Sequence, residues 1–176
     1  MSFKNAAVLA PVSFFLGVLF ICLNVDHRLL WAELTDESLN DGFQFYTTFF
    51  SSPPAIKALL HGMVAVGLIG IISKLHQWDE SAKFFDGSSL VVYMFSVSVY
   101  LTVTVPALRT IAMPLPEESL QVRIEAIRVL SAGNIMMMIA LVGVLVLQAG
   151  QEYAKRMEAR VRAQTTEKEA TEKKTQ

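Results

Sequence analysis

Residues 129–150 read VLSAGNIMMMIALVGVLVLQAG, 22 positions without a charged side chain. At about 1.5 Å of rise per residue, such a run covers the roughly 30 Å of hydrocarbon in a bilayer, so it predicts a membrane-spanning helix. Directly behind it the chain turns charged: seven of the 26 residues of 151–176 are Lys or Arg, which predicts a cytosolic tail. Working outward, 5–25, 55–73 and 87–108 repeat the pattern and predict three more spans. Lys4 and the amino terminus flank the first on its positive side, and Phe20, Ile21 and Leu23 are too bulky for a cleavage site or a lipoprotein anchor at Cys22. The first span therefore reads as a retained signal-anchor.

Composition agrees, since 53% apolar with 18% charged is too apolar for an ordinary soluble domain. A net charge of -1 argues against nucleic acid as a partner, because neutralising several phosphates takes a basic surface. The lone cysteine, Cys22, makes no internal disulfide.

Between the first two spans lies an acidic stretch with Glu33, Asp36, Glu37 and Asp41. Within it Leu39, Phe43, Tyr46 and Phe50 recur at helical spacing, which predicts an amphipathic helix lying on the membrane surface or capping the bundle, with Gly42 a weak point. Pro53 and Pro54 start the second span, Pro106 kinks the last turn of the third, and Pro114 and Pro116 break the chain. Glu117 and Glu118 then suit the N-terminus of a helix that runs on into the fourth span. Both ends in the cytosol puts ten Lys and Arg on that side and five on the other. The expected fold is an all-α membrane protein, a four-helix transmembrane bundle, N-in and C-in, with a lumenal amphipathic helix. Residues 1–150 form its membrane domain and 151–176 its charged cytosolic tail.

Motifs for chemistry are missing. His27, His61 and His76 fall at different depths of this topology, and no paired His or Cys spacing predicts a metal or any other cofactor. No phosphate loop, nucleophile elbow or dinucleotide fingerprint occurs, so the chain reads as no enzyme. The spans as bounded contain no carboxylate, and His61 is the one ionisable residue well inside a span, where it serves packing or holds another helix. In the third span Ser89, Tyr93, Ser96, Tyr100 and Thr104 share one face, an internal seam or a docking strip. Gly62, Gly67 and Gly70 in the second span, and Gly133, Gly143 and Gly150 in the fourth, let helices approach closely. Met136, Met137 and Met138 form a pliable patch. Lys173 and Lys174 fit a dilysine pattern for retrieval to the endoplasmic reticulum.

Several segments resemble the fungal endoplasmic-reticulum packaging chaperones for amino-acid permeases. They are HGMVAVGLIG at 61–70, Tyr100-Leu101-Thr102, Leu108-Arg109-Thr110, RVL at 128–130, Asn134-Ile135 and LVGVLVLQAG at 141–150. The resemblance implies a multi-pass protein of the endoplasmic-reticulum membrane that shields newly inserted amino-acid permeases from aggregation and assists their packaging into coated vesicles. Its partners would be permeases, the lipid bilayer and, through the tail, vesicle-coat components. Candidate client-binding residues are His61, Gly62, Gly67, Gly70, Ser96, Tyr100, Thr104, Asn134 and Gly143. The rival reading is a small four-span transporter or transporter subunit, against which the absence of intramembrane carboxylates and of an inverted repeat counts.

Overall fold

The structure, a computed structural model, describes residues 3–75 and 80–175, with side chains over 3–75 and 83–166. Its elements run α1 Phe3–Trp31, α2 Asp36–Phe50, α3 Pro54–Leu75, α4 Glu80–Val99, a π turn Tyr100–Thr104, α5 Val105–Ala112 and α6 Leu120–Thr175. Four stretches are long and apolar enough to cross a membrane: α1, α3, the continuous α4–π–α5 rod and α6. No strand occurs among the described residues.

The helices outrun the charge-free segments because the charges at their ends find partners. Arg28 reaches Asp41 at 3.0 Å, so α1 continues past residue 25 to Trp31. Arg123 donates to the Ile111 carbonyl at 2.9 Å and lies over the Phe43 ring at 4.5 Å, inside the first turns of α6. Glu117 and Glu118, expected in the first turn of that helix, lie outside it. Glu118 accepts from the Leu115 N–H at 2.7 Å and faces Arg109 at 3.7 Å, leaving Ser119 to meet the N–H of Val122. From Leu120 the helix runs 56 residues through the fourth span and the tail.

Close approach of α1 and α3 has a backbone cause. Pro11 has no N–H for the carbonyl four residues back, that of Ala7, and this carbonyl lies against Gly70. A Cβ at Gly70 would sit 2.8 Å from the Ala7 oxygen, so only glycine fits. Gly67 makes room for the Tyr93 ring, whose hydroxyl donates to the Val64 carbonyl at 3.1 Å and ties α4 to α3. Along the α4–α6 seam, Gly133 faces Val99 and Val103 while Gly150 faces Phe85.

The α2 helix begins with a capping box that the sequence reading did not recognise. Thr35 accepts from the Ser38 N–H at 3.2 Å, and the Ser38 hydroxyl oxygen accepts from the Thr35 N–H at 3.1 Å. Its apolar face turns inward over one end of the bundle, where Tyr46 joins Leu29, Ile111, Ile127 and Leu130 in a core. Gly42 is a contact point here, for a Cβ would lie 2.7 Å from Ile127 and 3.1 Å from Leu29.

Helix α3 is buried over its second half only. Its backbone approaches α1 and α4 and no other described element. Its buried residues, Gly67, Gly70, Ile71 and Lys74, all lie in the second half. Over the first half Ile56 and Leu59 are exposed, and around Gly62 a Cβ would meet nothing within 4 Å. A cleft is left between this exposed half and the rest of the bundle.

Candidate functional site

The cleft has a volume of about 300 Å³. It is lined by Phe15, Val18 and Leu19 of α1, Leu60 and Val64 of α3, Val97, Val105 and Leu108 of the rod, and Met137 and Leu141 of α6. The end of α2 stands at the mouth with Phe49 and Phe50, and Lys57 places its ammonium 5.3 Å from the Phe50 ring centroid. Within these apolar walls, five of the nine candidate residues come together: His61, Ser96, Tyr100, Thr104 and Asn134. The other four do not line it. Gly67 and Gly70 are consumed by helix contacts, Gly143 faces Val92 at 4.0 Å, and Gly62 stands in open space beside the cleft. Lys173 and Lys174 fall in the last turns of α6, their side chains outside the described residues, and His76 lies outside them altogether.

His61 and Tyr100 bridge the cleft. The His61 Nδ1 sits 2.7 Å from the Lys57 carbonyl, an acceptor, so Nδ1 carries the hydrogen and Nε2 is left to accept in the neutral ring. The Tyr100 hydroxyl donates to that Nε2 across 3.4 Å, a long and weak bond, with the rings edge to face at 5.9 Å. With the shorter bond from the Tyr93 hydroxyl to the Val64 carbonyl, it links the first half of α3 to the rod.

The π turn determines what the rod shows to the cleft. Pro106 has no N–H to offer the carbonyls behind it, and the ladder absorbs this defect with an i to i+5 step in which the Val105 N–H donates to the Tyr100 carbonyl. Where a kink was expected at Pro106, the rod carries a π turn that ends at Thr104, two residues upstream. Ser96 and Ser98 before the turn, and Thr102 within it, each donate to the carbonyl four residues back, at 3.2, 2.9 and 2.8 Å. Thr104, at the end of the turn, does not: the residue is among those around the cleft, and its hydroxyl is buried without a hydrogen-bond partner. The five-residue polar stripe is thus an inward face, with Ser89, Tyr93, Ser96 and Thr104 all buried.

Two buried polar clusters hold the bundle at either end, and both correct the expectation that the spans carry no carboxylate. At the α2 end, Asp26 of α1 is fully buried and accepts from the hydroxyls of Tyr46 and Ser131, the latter at 2.7 Å, and from Asn134 Nδ2 at 3.0 Å. Asn134 also donates to the Tyr46 oxygen at 3.0 Å, so α1, α2 and α6 meet at one carboxylate. Burial pushes the Tyr46 phenol well above its ordinary range, and the Asp26 charge adds to that. At the other end Lys74 of α3 pairs with Asp86 of α4 at 3.2 Å, both nearly inaccessible. Gln148 and Gln151 of α6 accept from the Lys74 ammonium and donate to the Asp86 carboxylate, at 3.1 Å from Gln148 and 2.6 Å from Gln151. Every charge in these clusters has a partner, as burial in a low-dielectric medium requires.

Neither cluster was foreseen, although both left a trace. Asp86 extends the Ser89–Tyr93–Ser96 stripe backward by three residues, and Asp26 shares a helical face with Cys22, Val25 and Leu29. Cutting the spans at the first charge hid both. No grouping of three or more His, Cys, Asp or Glu suited to a metal ion occurs among the described residues.

A family model, the SHR3 chaperone family with the description ER membrane protein SH3, matches residues 1–176. No curated protein and no solved structure matches the chain.

Proposed function

The chain belongs to the SHR3 chaperone family, and from that premise we propose that its lateral cleft shields newly inserted amino-acid permeases from aggregation until their own helices close around the same surfaces. It is a multi-pass membrane protein of the endoplasmic reticulum and a chaperone, a class distinct from enzymes, with membrane proteins such as permeases as its clients. The observation that supports the finer reading is the burial of α3 over its second half only, with an apolar cleft beside its first half. An unassembled permease helix carries polar positions that have no partner in lipid, and a groove with a few hydrogen-bonding groups covers them temporarily. The long His61–Tyr100 bond is a weak closure, consistent with a cleft that opens to a client and shuts after release.

In this reading the amino terminus and the tail are cytosolic and α2 caps the lumenal end. The tail then faces vesicle-coat components, through which the chaperone assists packaging of its clients. Transport of a solute finds less support. The Asp26 and Lys74–Asp86 clusters remove the compositional argument against it, but each is bonded within the protein. Along α6 they are separated by the rise from Asn134 to Gln148, about 21 Å.

The test is deletion of the gene in its own host while tagged amino-acid permeases and an unrelated multi-pass transporter are followed by microscopy and native gels. Permeases retained as aggregates in the endoplasmic reticulum, with the control at the cell surface, support the reading. Refilling the deletion with Leu60→Trp, which fills the cleft, should leave permeases aggregated although the chaperone accumulates normally. Unimpaired permease traffic with altered uptake of a solute favours the transporter.

A further inference from the structure

We propose that the cleft is a lipid site: it takes an acyl chain of a phospholipid with a net negative headgroup, whose phosphate meets the ammonium of Lys57. The site stands apart from the client reading, since it concerns what fills the cleft in a plain bilayer.

Exposure shows where the cleft opens. Of the residues that line it, Leu19, Met137 and Leu141 are buried, while Lys57, His61 and Val105 are exposed. The opening is therefore on the side of Lys57 and His61, where the first half of α3 stands beside the rod. Along α3 the lining runs from Lys57, in the first turn, to Val64, about 10 Å into the span. Water does not fill apolar space at that depth, and the molecules at hand to fill it are acyl chains.

Charge selects the head of the ligand. His61 and Tyr100 bond each other, Ser96 donates to the Val92 carbonyl, and Asn134 gives its NH2 group to Asp26 and Tyr46. These polar groups around the cleft are engaged within the protein. Lys57 is engaged only by the Phe50 ring, 5.3 Å from its ammonium, and pairs with no carboxylate among the described residues. Other cations at this end of the bundle are taken: Arg28 by Asp41, Arg109 by Glu118 and Arg123 by the Ile111 carbonyl. Arg128 has no ion pair either, but it does not line the cleft. An apolar cleft with one unpaired cation at its exposed edge suits a molecule with an apolar chain and an anionic head, which in a bilayer is an anionic phospholipid. A zwitterionic headgroup is the poorer match, because its own ammonium competes with Lys57 for the phosphate.

The experiment uses the full chain in phosphatidylcholine vesicles that contain a trace of a phospholipid with a diazirine in its acyl chain, under either a phosphatidylserine or a phosphatidylcholine headgroup. Crosslinks are located by mass spectrometry. Labelling should be denser at Leu60, Val64 and Leu141 than at Ile139, which lies outside the cleft at 68% exposure. The phosphatidylserine probe should label the cleft about five-fold more than the phosphatidylcholine probe, the attraction of one lysine for an anionic headgroup. Lys57→Gln, at an exposed position, should bring the two probes level, while Lys57→Arg and Arg128→Gln should keep the difference. Leu60→Trp should lower labelling at Val64 and Leu141 and leave that at Ile139 unchanged. Labelling no denser in the cleft than at Ile139 means annular lipid only and refutes the site. Equal labelling of the cleft by the two probes, or a difference that survives Lys57→Gln, refutes recognition of the headgroup by Lys57. Neither result touches the client reading, which has its own test.

Discussion

Replacing Asp26 tests whether one carboxylate joins three helices. Its Oδ1 accepts from both Tyr46 and Ser131, and its Oδ2 from Asn134. Asp26→Asn keeps the shape and an oxygen for the first two donors but turns an amide NH2 towards the Asn134 NH2, where 3.0 Å separated donor from acceptor. Inter-helix hydrogen bonds in bilayers average about 0.6 kcal/mol and reach about 1.7, while a buried donor left without an acceptor costs about 1–3. The single substitution should therefore cost about 1–2 kcal/mol. Asp26→Leu, which withdraws every acceptor, should cost about 3 kcal/mol or more by the same reasoning. Exchanging the pair, Asp26→Asn with Asn134→Asp, restores a donor–acceptor contact between α1 and α6 and should recover about 1 kcal/mol of the loss. The assay is reversible unfolding in mixed micelles, followed by far-ultraviolet circular dichroism and by tryptophan fluorescence. A cost below about 0.5 kcal/mol for Asp26→Asn, with no recovery in the exchange, would falsify the three-helix junction.

Lys74→Met leaves Asp86 buried without its cation and should destabilise the bundle by about 3–5 kcal/mol, and adding Asp86→Leu should return part of that in the same unfolding assay. Gly70→Ala drives a methyl into the Ala7 carbonyl and should cost about 1–3 kcal/mol, whereas Gly62→Ala, in open space, should be neutral; equal effects would mean that α1 and α3 do not touch there. Thr35→Ala removes the capping box of α2 and should cost about 0.5–2 kcal/mol, visible as faster proteolysis between α1 and α2.

Much of the architecture was legible because lipid imposes a simple rule: a long uncharged run is a helix, and its polar stripe turns inward. The stripe from Ser89 to Thr104 and the amphipathic pattern from Leu39 to Phe50 followed from spacing, and the helix that runs on into the fourth span followed from the break at Pro114 and Pro116. What the pattern concealed was pairing. Lys74 and Asp86 look like span-ending charges until folding sets them side by side, and Asp26 looks like the start of a loop until Tyr46, Ser131 and Asn134 surround it. The glycines were read as one class, yet Gly67 and Gly70 serve a seam whereas Gly62 serves none, a distinction that depends on where α3 parts from its neighbours. The cleft itself needed that geometry. Spacing placed Thr104 on the right face, but neither its lack of a partner nor the π turn beside Pro106 could be read from spacing.

The unbroken run of α6 has a mechanical consequence. From Gln151 to Thr175 the backbone stays helical, which carries the far end about 36 Å beyond the last buried glutamine, while Gln151 and Asn134 stand about 26 Å apart within the bundle. The helix is then a lever pivoting at the Lys74–Asp86 cluster, with its outer arm longer than its inner one. A protein that grips the outer end and tilts it displaces the Asn134 end in the opposite sense by about two-thirds as much. Asn134 lines the cleft, so a load on the tail is felt where a client would sit.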